Sequence, residues 1–146
     1  MRKVLLALPA LAFAIAAVFA STGQSAEAAA ANLKIRAGAG ETGYAVNMFL
    51  PASTYVRAGD TVTWSFTWDE PHTVTFGQPQ GDPTAPAASN SATYDGTGVV
   101  NSGLVFPTPG QESTFSVKFT KEGKFDYYCV IHPGMTGEVV VQGAGI

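Results

Sequence analysis

Thr61-Val62-Thr63-Trp64-Ser65-Phe66-Thr67 alternates without a break, with Val62, Trp64 and Phe66 on one face and hydroxyl residues on the other. A period of two is that of a half-buried β-strand. The same period recurs outward in both directions. Upstream, Tyr55-Val56-Arg57 runs into Ala58-Gly59-Asp60, a turn signal. Before it, Leu33-Lys34-Ile35-Arg36 alternates, and the apolar run Tyr44 to Phe49 is closed by Pro51. Downstream, His72-Thr73-Val74-Thr75-Phe76 keeps the period, and Thr114 to Phe119 turns Phe115, Val117 and Phe119 inward. Gly123 leads into Phe125-Asp126-Tyr127-Tyr128, and Gly137 opens Glu138-Val139-Val140-Val141. No stretch after residue 32 carries a 3.6-residue apolar period with caps. Short strands parted by Gly and Pro turns predict an all-β, antiparallel sandwich or barrel of about seven or eight strands. Trp64, Phe66, Phe115, Phe119, Phe125 and Tyr127 are its expected dry core. Residues 77–110, rich in Pro, Ala, Ser, Asn and Gly, break the rhythm. They read as a long surface crossover with a short edge strand near Val99.

The chain of 146 residues has room for one domain. The N-terminus is separate from it. Met1-Arg2-Lys3 is positive, Val4 to Ala20 carries no charge, and Ala26-Glu27-Ala28 fits a small-residue cleavage pattern. Residues 1–28 therefore read as a secretory signal peptide, with an uncleaved anchor helix as the alternative. The single domain is 29–146, placed in the periplasm or otherwise outside the cytoplasm. Removing 1–28 takes Arg2, Lys3 and Glu27 with it and leaves six bases and ten acids, a net of −4. That balance argues against nucleic acid as a partner. One Cys and two His exclude an internal disulfide, any site with two thiolates and any site with three imidazoles.

The chemistry lies in two places. Cys129-Val130-Ile131-His132-Pro133-Gly134-Met135 offers a thiolate, an imidazole and a thioether between two strands. His72 stands at the head of its own strand, after Asp69-Glu70-Pro71. One Cys and two His with a weak axial Met form the donor set of a mononuclear blue-copper site. Each residue also has a plainer reading. A lone Cys is often a small core hydrophobe, a lone His a solvated one, and Met135 ordinary packing. Positions 129, 132 and 135 also share one face of a helix, although Pro133 and Gly134 oppose one.

These segments resemble the cupredoxins, in particular plastocyanin-like and amicyanin-like proteins. The resemblance rests on Val56-Arg57-Ala58-Gly59-Asp60-Thr61-Val62-Thr63-Trp64, Pro71-His72-Thr73-Val74 and Tyr128 to Gly137. It covers about residues 33–142 and is weakest in the crossover. The Cys-x₂-His-x₂-Met spacing is similar to the short amicyanin loop. The resemblance implies a Greek-key cupredoxin fold and one copper ion. His72, Cys129 and His132 would be the equatorial ligands, and Met135 the axial one. Thr73 stands where many cupredoxins carry an Asn that pins the ligand loop. Val130 and Ile131 keep N–H groups where some amicyanin-like loops have Pro, so two backbone donors are expected at the Cys129 sulfur.

The expected function is that of a monomeric one-electron carrier using Cu(II)/Cu(I), and not an enzyme. Its expected partner is a redox protein, such as a cytochrome or a membrane oxidoreductase, docking weakly at the His132 edge. Pro71, Pro133 and Gly134 would form an uncharged collar there, with Asp69 and Glu70 steering a basic partner. The alternative is a copper chaperone or buffer using the same residues. The membrane enters only if residues 1–28 stay attached.

Overall fold

The computed structural model describes residues 30–78, 91–108 and 111–143. The proposed leader, residues 1–28, lies outside the described residues, as do positions 79–90 of the crossover. Among the described residues ten strands occur: β1 (Asn32–Glu41), β2 (Tyr44–Leu50), β3 (Ser53–Arg57), β4 (Thr61–Phe66), β5 (Thr75–Phe76), β6 (Ser91–Tyr94), β7 (Val100–Asn101), β8 (Ser113–Phe119), β9 (Gly123–Tyr128) and β10 (Thr136–Gln142). They form two five-stranded sheets, ordered β2-β1-β4-β8-β6 and β3-β10-β9-β5-β7. The architecture is the expected all-β sandwich. The count exceeds seven or eight because the crossover itself contributes β6 and β7, which close one edge of each sheet. β7, at Val100–Asn101, is the edge strand expected near Val99.

The sheets are mixed rather than purely antiparallel. β1 runs parallel to β4, β3 to β10 and β6 to β8. Alternation along a strand is blind to the direction of its neighbour, so it carried no signal for these pairings. Register does follow the alternation: Trp64 lies opposite Ile35 and Phe115, and Val62 opposite Val117. These side chains meet Phe49, Phe76, Phe119 and Tyr127 in one core. Trp64 packs edge-on against both Tyr127 and Phe76, at 5.1 and 5.7 Å between ring centroids. Phe125 is only half-buried and stacks on Phe119.

The hydroxyl face of β4 is not solvated. Thr63 and Ser65 are buried. Thr63 Oγ1 donates to Asn32 Oδ1 at 2.9 Å and lies 2.9 Å from Ser116 Oγ. Neighbouring strands thus supply the hydrogen bonds that water was expected to give. The Ala58-Gly59-Asp60 turn forms as read. Gly59 takes φ +102°, and Asp60 accepts the N–H groups of Arg57 and Ala31 at 2.8 and 2.7 Å. That carboxylate fastens the start of β1 to the β3–β4 corner.

Candidate metal centre

The chain between Cys129 and Met135 is a tight turn, not a helix. Pro133 pre-sets φ, and Gly134 takes a left-handed φ of +83°. These are the residues a type II turn requires at its two central positions. Met135 N–H then donates to the His132 carbonyl at 3.0 Å, and Cys129 N–H to the Met135 carbonyl at 3.0 Å. The loop is closed at its neck by its own backbone. Cys129 and Met135 are buried, while His132 keeps 20% of its side chain exposed.

His72 arrives from the same sheet. It pairs with Val105 of the crossover through two backbone hydrogen bonds, of 3.2 and 2.9 Å. Its ring is fully buried. Burial, and after it the neighbouring His132, pushes its pKa down to about 4. The imidazole is therefore neutral near pH 7, with a lone pair free for a metal.

The structure brings His72, Cys129 and His132 together. Their donor atoms all lie within 4.8 Å of one another. The two Nδ1 atoms are 3.0 Å apart, and Cys129 Sγ lies 3.5 Å from His132 Nδ1 and 4.0 Å from His72 Nδ1. A point equidistant from three atoms so spaced lies about 2.1 Å from each, the length of a first-row metal–nitrogen bond. Two imidazoles and one thiolate around such a point suit copper, and the buried Met135 sits in the same loop. The residues present fit the ion that the motif implies.

Thr73 ties the two halves of the site together. Its N–H donates to Cys129 Sγ at 3.3 Å, and its hydroxyl accepts the Val130 N–H at 2.8 Å. The hydroxyl thus does the pinning work expected of an Asn at this position. It also corrects the expectation for Val130, whose N–H is spent on Thr73 and not on the sulfur.

Two glycines escaped the sequence reading. Gly38 lies at a β-bulge between Ala37 and Ala39, with φ +75°. A Cβ there would stand 2.2 Å from His72 Nε2. Two residues on, a Cβ on Gly40 would meet the Trp68 ring at 2.5 Å. β1 therefore offers bare backbone on which His72 and Trp68 rest. The sequence signal was Ala37-Gly38-Ala39-Gly40, because glycine inside a strand often marks a close approach.

Comparison with known proteins agrees with this geometry. Residues 34–142 match the model of the family described as copper binding proteins, plastocyanin/azurin family. Amicyanin-alpha of Methylorubrum extorquens is 32% identical over 133 residues, which covers 91% of this chain and 97% of that protein. The chloroplastic plastocyanin of Tetradesmus obliquus is 31% identical over 115 residues, covering 77% and 68%. A solved amicyanin variant in its reduced Cu(I) form superposes with a TM-score of 0.52 at 25% identity, over 80% of this chain and 88% of that one. With its ligand-bearing loop, its fold and three-quarters of its length in agreement, the chain belongs to the plastocyanin/azurin family of copper-binding proteins.

Proposed function

We propose that the protein is an exported, monomeric one-electron carrier in which His72, Cys129 and His132 would hold one copper ion, with Met135 as a fourth, weaker ligand. Bound copper supplies the Cu(II)/Cu(I) couple, the lower state of which is the one named for the solved amicyanin. The observation that carries the reading is the convergence of three donor atoms at a site with one ring edge open to solvent. The other two donors, His72 and Cys129, are buried, and the segments that carry all three are braced. Thr73 links both ligand segments, Val105 holds His72, and the turn at Pro133-Gly134 closes the loop. A braced donor set resists rearrangement between oxidation states, which suits electron transfer.

His132 is the point of contact for a partner, because it alone of the three donors reaches the surface. Its loop carries the exposed apolar groups Pro133 and Ile131, and Leu104 and Phe106, which flank the Val105 that pairs with His72, are exposed as well. A small apolar collar supports weak, rapidly reversible docking of a redox protein such as a cytochrome. With both histidines engaged, no imidazole remains for a second, substrate-binding metal. Residues 1–28 direct export, and the domain works outside the cytoplasm. The test is to mix the Cu(I) protein with an oxidised c-type cytochrome and follow haem reduction. Rapid one-to-one reduction supports the carrier. Copper passing to an acceptor protein without haem reduction would establish the chaperone instead.

A further inference from the structure

The exposed ligand has a neighbour that the copper site does not account for. Glu70 Oε2 lies 3.8 Å from His132 Nε2, on the side of the ring away from the donor cluster. The Glu70 side chain as a whole is 40% exposed, yet Oε2 is itself buried and has no hydrogen-bond partner among the described residues. A carboxylate oxygen taken out of water and left unpaired is costly. Its placement beside a ring nitrogen calls for a reason.

The chemistry of the ring supplies one. His132 Nδ1 faces Cys129 Sγ and His72 Nδ1. A lone pair on Nδ1 puts the proton on Nε2 in the neutral ring, and Glu70 Oε2 is an acceptor 3.8 Å from it. The terminal torsion of Glu is broad, so the carboxylate closes to a charge-assisted hydrogen bond without leaving its rotamer. Metal-bound imidazoles commonly hand their second N–H to a carboxylate in this way. The segment that carries Glu70 is stiff. Pro71 confines Glu70 to extended backbone, Trp68 rests on Gly40, and His72 is clamped to Val105.

We propose that Glu70 is a positioning residue for the exposed ligand: its carboxylate accepts the Nε2–H of His132, turns Nδ1 inward and holds a negative charge on the edge through which electrons pass. This rests on the copper-site reading above. It assigns Glu70 a role separate from the steering expected of it together with Asp69. A fixed negative charge so close to the site favours Cu(II), so Glu70 lowers the reduction potential. It also selects partners that bring a cation to that edge.

Three variants test it in the copper-loaded protein: Glu70→Ala, Glu70→Gln and Asp69→Asn. The thiolate-to-copper absorption band is recorded first, then the potential by voltammetry, then the water exchange of the His132 Nε2–H by NMR of the diamagnetic Cu(I) form. Glu70→Ala speeds that exchange about tenfold or more, while Glu70→Gln, which still offers an acceptor, restores part of the protection. Both raise the potential further than Asp69→Asn, whose carboxylate is one residue further from His72 and exposed. Unchanged exchange in Glu70→Ala, or an equal shift in Asp69→Asn, overturns the role of Glu70 and leaves the copper site standing. Absence of the band from the wild-type protein overturns the copper reading, and this proposal with it.

Discussion

Gly38→Ala isolates the seat of His72. The added methyl meets His72 Nε2 at 2.2 Å, Cδ2 at 2.9 Å and Cε1 at 3.1 Å. Carbon contacts are comfortable at roughly 3.5–4.0 Å, so the ring must withdraw by at least about 1 Å. Constellations of this kind need their groups held within about 0.5 Å, and His72 Nδ1 leaves its triangle with Cys129 and His132. Two costs add. An alanine at φ +75° costs roughly 1–2 kcal/mol in backbone strain, and overpacking the ring costs roughly 1–3 kcal/mol more. Gly43→Ala separates them. Gly43 takes φ +102° with nothing within 4 Å of a new Cβ, so it bears the backbone cost alone. Urea unfolding of the metal-free proteins should place Gly38→Ala below Gly43→Ala by roughly 1–3 kcal/mol. A Cu(II) titration should show weakened binding only for Gly38→Ala. Equal stabilities and equal copper binding would refute the role given to Gly38.

Thr73→Val keeps the shape of the side chain but leaves the Val130 N–H without its acceptor. It should cost roughly 1–3 kcal/mol in urea unfolding, with Thr73→Ser close to wild type; a neutral Thr73→Val would contradict the link. Met135→Gln should keep a coloured site and lower the potential in voltammetry, because a stronger axial donor favours Cu(II); an unmoved potential would argue against axial Met. His72 titrates near 4 when folded and near 6.5 when unfolded. Between these values the unfolded chain binds the extra proton, so stability of the metal-free protein is fully present above pH 6.5 and falls as pH drops toward 4. Urea midpoints measured across that window should show the slope, and His72→Gln should flatten it.

The sandwich was legible because each strand buries one face and so writes a period of two. Trp64, Phe115 and Tyr127 announced their own positions. The donor set was legible because the only Cys and both His stand at strand ends, in a chain with little other chemistry. What stayed hidden depends on which strands meet. Gly38 and His72 are far apart in sequence, and the need for a bare backbone appears only once β1 lies behind the ring. The same holds for Thr73, whose hydroxyl had a visible candidate role but no visible partner until Val130 came within 2.8 Å. Thr63 and Ser65 misled for the opposite reason. Their polarity suggested water, while both are buried and Thr63 meets a hydroxyl and an amide on the neighbouring strands. Glu70 read as a steering charge no different from Asp69, and only the burial of one of its two oxygens distinguishes it.

The central claim is that one copper ion is held by a thiolate and two imidazoles. Stepwise addition of Cu(II) to the purified domain, followed by optical and electron paramagnetic resonance spectra, tests it most directly. An intense thiolate-to-copper band is expected, one that saturates at one equivalent and is absent from Cys129→Ser. A colourless product, or a band that persists without Cys129, would contradict it.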